Sequence, residues 1–533
     1  MKSPAPSTVD WLVIGSGFGG SVAALRLAEK GYDVTVAEQG RRFSSRDFAK
    51  SAWRLRRYLW MPSLGLRGIL RRQVLDHVTV LCGVGVGGGS LVYANTLYRP
   101  KSDKFYEHPQ WRELAQWREA LAPHFDTAER MLGVVDYEGT GPSETLMSGI
   151  AEDLGVRDGA SATRVGVFFG QPGETARDPY FGGDGPDRTG CVRCGQCMLG
   201  CRYGAKNTLD KNYLWLAERL GVKVEPDSKV VEVRPAGAAD GADGYFIKLE
   251  RPGALVRRRR RTIRARGIVF AAGTLGTNEL LLKSRSNGSL PRLSERVGAL
   301  VRTNSEAITA ATSRARGADY RSGIAITRSV LPDGETHFTN NTFGAGGDAL
   351  AATYGPLTAG SDKAARRRGF AGALVRSPLR WARHFLVARG WSKRSVIFTI
   401  MQDADNAISL ELDRRGHVCS KATDGAAPSA WLPIANQVAE LAAKRMGGYA
   451  QSSVAESLKA SPTSAHFLGG AVIGAGPDAG VVDRHRRVFG YENMIVCDGS
   501  SLPANVGVNP SLTITAMAEE AMSHVPPANE VMR

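Results

Sequence analysis

"DWLVIGSGFGGSVAALRLAEKGYDVTVAEQG", residues 10–40, decides the fold. Leu12, Val13 and Ile14 read as a short apolar strand, and Gly15, Gly17 and Gly20 then give G-x-G-x-x-G. Val22 to Ala28 reads as a helix, and a second strand over Asp33–Ala37 runs into Glu38. Strand, glycine turn, helix, strand and terminal acid make a βαβ unit for a dinucleotide. The glycines let a pyrophosphate reach a helix N-terminus, whose free N–H groups attract an anion, and the acid accepts ribose hydroxyls.

Two further stretches suggest which dinucleotide. "GVGVGGGSLVYANTLY", 83–98, is a glycine loop long enough to lie along an extended cofactor. "MIVCDGSSLPANVGVNPSLTITAMAEEA", 494–521, reads as a strand ending at Asp498-Gly499, a loop and a helix, a late contact suited to FAD rather than NAD.

Composition sets the bounds. The chain has 533 residues, 43% hydrophobic and 23% charged, which fits a globular protein of two or three domains or one interleaved body. The net charge is +17, and its excess lies in arginine runs such as 257–261 and 366–368. No basic stripe with interleaved aromatics accompanies them, so no nucleic-acid partner is expected. There is no signal peptide and no run of 18 apolar residues, so a cytoplasmic, reducing setting is expected.

Taken together, the glycine unit, "GVGGGSLVYAN" (85–95), "FAAGTLGT" (270–277), "HFLGG" (466–470) and "VNPSLTITAMAE" (508–519) resemble the glucose–methanol–choline (GMC) flavin oxidoreductases, and most of all their intracellular bacterial cholesterol oxidase branch. The resemblance runs from about residue 10 to 525, with the motifs in the family's order. It implies FAD, with Glu38 on the adenosine ribose, Gly88, Gly89 and Asn95 near flavin and pyrophosphate, Val230 or Val231 near the adenine, Asp498 and Gly499 at the ribityl or pyrophosphate region, and Pro510 beside the cofactor. The fold class it implies is α/β: a Rossmann-like FAD-binding domain of GMC type (8–100, 187–300 and 462–525) with an inserted α+β substrate-binding domain and lid (101–186 and 301–461), and a tail over 526–533. The alternating runs "SVIFTIMQ" and "AISLELD" agree with such an insert.

Flavin-dependent alcohol oxidation must move a hydroxyl proton and a hydride, and an imidazole suits the proton. Among nine histidines, His466 stands before a Gly-Gly turn and matches the family's active-site histidine, and Asn509 matches its partner amide. The expected substrate is a bulky apolar alcohol, cholesterol or another 3β-hydroxysterol, oxidised at a secondary hydroxyl to the ketone. Steroid isomerisation in this branch needs a carboxylate base, yet the aligned stretch "HFTNNTFG", 337–344, has no acid, and Glu335 and Glu306 are the stand-ins.

"GCVRCGQCMLGC", 190–201, gathers four of the seven cysteines. Cys191, Cys194, Cys197 and Cys201 have ferredoxin spacing, which favours an iron–sulfur cluster over zinc. The fourth ligand stays open between Cys201, a distant cysteine and none, because in two-cluster ferredoxins that position serves the other cluster. Reduced structural thiols or a disulfide are the alternatives. With a cluster, the enzyme would be a dehydrogenase of a lipid or terpenoid alcohol passing electrons to a protein or quinone, with oxygen incidental; without one, oxygen is the acceptor. Finally, Lys363–Arg394 carries ten Lys or Arg and no acid among spaced aromatics, and 53–72 has similar character. Such segments suit peripheral contact with anionic lipid, or, for Trp381 and its neighbours, the lining of the substrate pocket.

Overall fold

The computed structural model describes residues 7–253 and 260–531. The opening unit forms β1 (Ser7–Ile14), α1 (Phe18–Glu29) and β2 (Val34–Ala37). β1 sits inside a seven-stranded sheet with Leu12 and Val13 fully buried, which is why its sequence is an apolar run and not an alternation. The sheet order is Lys223–Glu225, β2, β1, Arg260–Phe270, Tyr245–Glu250, Lys229–Pro235, and Met494–Val496 also pairs with Arg260–Phe270.

Strand Arg260–Phe270 serves two partners in succession. Residues 260–265 pair antiparallel with Tyr245–Glu250, and 268–270 pair parallel with Met494–Val496. The parallel registers set Ala37, Ile14, Phe270 and Val496 at one level. The residues that follow, Glu38, Gly15, Ala271 and Cys497-Asp498, therefore emerge together at the carboxyl edge, where ligands bind in open α/β sheets. Helices α2 (Gly273–Ser286) and α3 (Ser511–Ser523) start at this edge, and α1 packs along α3.

The second large sheet is antiparallel, in the order Tyr354–Pro356, Gly448–Ser453, Ala307–Ser313, Ser395–Gln402, Thr336–Asn341, Arg328–Val330, Ser161–Ala162. Helices Pro142–Asp153 and Pro433–Arg445 cover one face through Ala307, Ala311, Phe338, Val396, Phe398 and Ile400. Strand alternation sends His337, Thr339, Asn341, Thr399 and Met401 to the other face.

The arginine runs are partly structural. Arg366 is buried and donates to Glu456 O at 3.2 Å, and Arg367 to Leu458 O at 2.7 Å. Of the 257–261 run, 257–259 lie outside the described residues; Arg260 and Arg261 pair with Glu250 and Glu225.

Candidate active site

The three glycines of the first turn have separate jobs. Gly15 has φ +101°, and a Cβ there would lie 2.3 Å from Ala271 O; one on Gly20 would lie 2.0 Å from Gly15 O. These two allow the tight turn and the close packing. A Cβ on Gly17 would meet nothing within 4 Å, so this glycine fronts open space at the N-terminus of α1, which has no side-chain cap. That is the arrangement a pyrophosphate needs. The second glycine loop seals onto the first: a Cβ on Gly88 would sit 2.7 Å from Gly17 Cα, Gly87 N donates to Ser16 Oγ at 3.1 Å, and Gly89 lies beside Phe18.

Glu38 joins both loops. Its carboxylate accepts from Ser16 N and Oγ (3.1 and 2.7 Å), Gly40 N (2.8 Å) and Gly85 N (3.3 Å), and burial raises its pKa. All four acceptor positions are taken within the protein, so a ribose hydroxyl would have to replace one of these donors. Backbone bonding of Ser228 N to Glu38 O at 2.8 Å brings the strand of Val230 and Val231 alongside; Val230 is buried and Val231 half-buried at a bulge. Asp498 is held by Ser500 N (2.9 Å), Ser500 Oγ (2.5 Å) and Thr277 Oγ1 (2.5 Å), and burial raises its pKa. Thr274, on the first turn of α2, lies 2.9 Å from a Cβ built on Gly499 and donates to Phe467 O at 2.6 Å. The histidine loop is thus tied to the carboxyl edge.

On that loop His466 meets Asn509, one residue before the buried Pro510 that caps α3: Asn509 Nδ2 donates to His466 Nε2 at 3.0 Å. His466 Nδ1 faces Glu306 Oε2 at 3.2 Å, and the same oxygen accepts from Ala465 N at 2.9 Å. The imidazole keeps 13% of its side chain accessible and Glu306 only 1%, so the ring can meet a substrate while the acid stands behind it. With Nε2 accepting, the ring proton lies on Nδ1, which is in ion-pair range of the acid without a hydrogen bond to it. Glu306 entered the sequence reading as a stand-in isomerisation base; its contact with His466 had no local signal, since 160 residues separate them. Glu335 is at the surface, paired with Lys104.

The other face of the antiparallel sheet, itself buried, lies beside His466. His337 is buried with both ring nitrogens unpartnered, packs edge-on against Tyr98 at 4.9 Å, and is held down to about 3 by burial, then by Lys101 and His466. It is therefore a neutral imidazole in the stretch where a carboxylate was sought. Within electrostatic reach of Glu306, burial pushes Glu456 up to about 8, though Thr463 N donates to it at 3.2 Å.

The four cysteines converge. One cavity is lined by Cys191, Cys194, Cys197 and Cys201 with Asn95 and Lys206. All seven cysteines are free thiols. Among the described residues, the group of three or more His, Cys, Asp or Glu ligand atoms mutually within 4.8 Å is His485, Glu520 and His524, so no three of these sulfurs are that close. Tetrahedral zinc, with Zn–S of about 2.3 Å, would need them closer, at about 3.8 Å. Asn95, at φ +73° and fully buried, lines this cavity from the end of the glycine loop.

The basic segments divide by face. Trp381, Phe370 and Trp391 are buried, Trp381 against His384 and Tyr449, whereas Leu379 (87%), Leu386 (83%) and Val375 (78%) are exposed. In the other segment Trp53 and Leu64 are exposed. No described helix is long and apolar enough to cross a membrane.

Two GMC oxidoreductase family models match residues 185–297 and 409–518, and an NAD(P)-binding Rossmann-like domain model matches 13–55. The chain is 46% identical to a cholesterol oxidase of Mycobacterium tuberculosis over 98% of its own length and 92% of the relative's, and 42% identical to a cholesterol oxidase of Acinetobacter baumannii over 97% and 94%. The crystal structure of a pyridoxine 4-oxidase from Mesorbium loti has the same fold, with TM-score 0.61 at 14% identity, covering 96% of this chain and 98% of that one.

Proposed function

The chain belongs to the GMC oxidoreductases, and from that premise we propose that it oxidises the 3β-hydroxyl of a sterol, cholesterol first, to the ketone. It acts on CH–OH donors and its cofactor is FAD. The open face at Gly17, the uncapped N-terminus of α1 and the joined glycine loops fit that cofactor. Gly15, Gly17 and Gly20 would hold the pyrophosphate with Gly88 and Gly89, Glu38 the ribose, Val231 the adenine edge, and Asp498, Gly499 and Pro510 the flavin half.

The observation that carries the reading is the line Glu306–His466–Asn509. When bound, FAD accepts the hydride from the carbinol carbon. The substrate hydroxyl enters between Asn509 and His466 and replaces their mutual bond. Its proton passes to Nε2, which offers the ring lone pair while the ring proton sits on Nδ1. The Asn509 amide N–H then turns to the substrate oxygen and fixes the carbinol carbon's orientation. Glu306, buried beside the ring, favours the imidazolium that forms. The buried side chains of His337, Thr339 and Met401 would supply a neutral wall suited to an apolar ring system, and the ring nitrogens of His337 and Oγ1 of Thr339 have no partner there. Anaerobic mixing with cholesterol tests this. Flavin absorbance should bleach rapidly in the native enzyme, and about 10²–10⁴-fold more slowly in His466→Ala. Bleaching at the native rate in both His466→Ala and Asn509→Ala overturns the reading.

The relatives' name makes oxygen the first acceptor to try. The shared cysteine cavity favours a second reading, in which Cys191, Cys194, Cys197 and Cys201 hold a cubane-type iron–sulfur cluster and electrons leave to a redox protein or quinone. For location, the exposed leucines and arginines of 363–387 support peripheral contact with anionic lipid, from which a sterol could be drawn. The two large sheets support the division of the chain into an FAD-binding unit and an inserted substrate unit.

A further inference from the structure

Two buried cations flank the cysteine cavity with no carboxylate on them. Lys206 is 1% exposed, and its Nζ donates only to carbonyls: Tyr93 O at 2.7 Å, Cys197 O at 3.0 Å and Leu91 O at 3.1 Å. Arg188, 2% exposed, donates to the carbonyls of Gly204, Ala205 and Lys206 and to Asn207 Oδ1. Neither is in an ion pair among the described residues. Burying an ammonium or guanidinium is costly unless a negative group balances it, and carbonyl dipoles do so only in part. The carboxylate within electrostatic reach of both, Asp210, is already paired with Lys211 at 3.0 Å, so the further anionic groups this region can offer are the thiolates. Four thiolates on an iron–sulfur core carry net negative charge in the space these cations face.

The thiols are also dressed for such a core. Arg193 N donates to Cys191 Sγ at 3.4 Å, the backbone N–H of Gln196 faces Cys194, that of Ala325 faces Cys197, and the Asn95 amide lies beside Cys197. N–H groups aimed at sulfur and nearby positive charge both raise a cluster's reduction potential. Lys206 has a second contact as well. Its Nζ lies 4.6 Å from the centre of the Tyr93 ring, and that ring meets Phe18 edge-on at 5.5 Å, at the start of α1 in the first glycine turn. A continuous packed line therefore joins Cys197, Lys206, Tyr93 and the dinucleotide cradle.

Resting on the cluster reading above, we infer that Lys206 is its charge-compensating residue, a positioning residue that sets the cluster's potential within reach of reduced flavin and makes the cysteine site a one-electron outlet. The alcohol gives up two electrons and two protons. The electrons cross to the cluster one at a time, and each is taken by one molecule of an oxidised one-electron carrier protein. One ketone therefore accompanies two reduced carriers and two released protons.

The test uses full-length enzyme purified anaerobically with its FAD. Iron and acid-labile sulfide are measured, and cholesterol is added under argon while flavin absorbance and the electron paramagnetic resonance of the cluster are followed. The expected result is iron and sulfide in stoichiometric amount and a reduced-cluster signal that appears as the flavin bleaches. In Lys206→Met the cluster should titrate at a lower potential and give at least tenfold less signal with cholesterol, and Lys206→Arg should restore both. FAD-loaded protein free of iron and sulfide removes the cluster reading and this inference with it. If the cluster is present, but cholesterol bleaches the flavin of the native enzyme without reducing the cluster, the outlet is refuted while the cluster stands. A Lys206→Met cluster that titrates at the native potential refutes the role of Lys206 alone. The native-enzyme measurement decides on the outlet even if Lys206→Met fails to fold.

Discussion

Replacing Glu306 by glutamine isolates the charge behind His466. The glutamine oxygen can keep the bond from Ala465 N, which Glu306 Oε2 accepts at 2.9 Å, and the Asn509 bond still holds His466 Nε2, so the ring should stay in place. What disappears is the attraction between the acid and the imidazolium that forms when the hydroxyl proton arrives. Coulomb's law at 3.2 Å with an effective dielectric of about 20 gives roughly 5 kcal/mol as an upper limit. The ring is 13% accessible and solvent screens part of this, which leaves the smaller figure for an interaction with a charged group, about 1.5–3 kcal/mol. At 1.36 kcal/mol per tenfold, flavin reduction by cholesterol should slow about 10- to 150-fold. The assay is anaerobic stopped-flow in H₂O and D₂O. The solvent isotope effect should rise as proton transfer becomes limiting, while FAD content and melting temperature stay near native. Native-rate reduction with an unchanged isotope effect in Glu306→Gln would refute the argument.

Other outcomes follow from separate features. Gly17→Val, which adds bulk to open space, should leave the apoprotein's melting temperature unchanged and abolish FAD retention, whereas Gly20→Val, driven into Gly15 O, should prevent folding; FAD content and circular dichroism separate the two. Glu456 has a folded pKa of about 8 against an ordinary 4.5, so the native state holds its proton more tightly than the unfolded chain. Stability is then lost as pH rises from 4.5 to 8, and Glu456→Gln should stabilise by about 3 kcal/mol at pH 7 and by little at pH 4.5, read by denaturant titration at both pH values. Changing Leu379 and Leu386 together to serine should cut partitioning onto anionic vesicles at least tenfold in cosedimentation, with sterol oxidation in detergent unchanged.

The parts of this enzyme that the sequence makes legible are those written in a few consecutive residues. The βαβ unit is read from local spacing because strand, turn and helix there obey their own chemistry. Cys191 to Cys201 is read the same way. His466 and Asn509, 43 residues apart, are brought together only through family motifs, since nothing in either stretch says that the two loops meet. Glu306 illustrates the limit: its value lies in a contact made across a sheet edge, and a lone acid before a strand carries no mark of it. Lys206 and Arg188 look like ordinary surface cations in sequence, and only burial without a carboxylate sets them apart. In 363–394 the spacing of the aromatics is visible, but which side turns inward depends on Tyr449 and Tyr354, residues that pattern alone does not bring near.

The carboxyl edge is bounded by Gly15 at one end of the chain and by Gly499 at the other, and Gly19 lies so close to Cys497 that a Cβ there would sit 1.3 Å from its carbonyl oxygen. During synthesis, the first strand and helix leave the ribosome long before their closing partner has been translated. The nascent polypeptide therefore has no complete seat for its coenzyme until nearly all of it has emerged. Capture of FAD becomes a late, post-translational event, and chains truncated by premature termination near residue 490 would accumulate colourless.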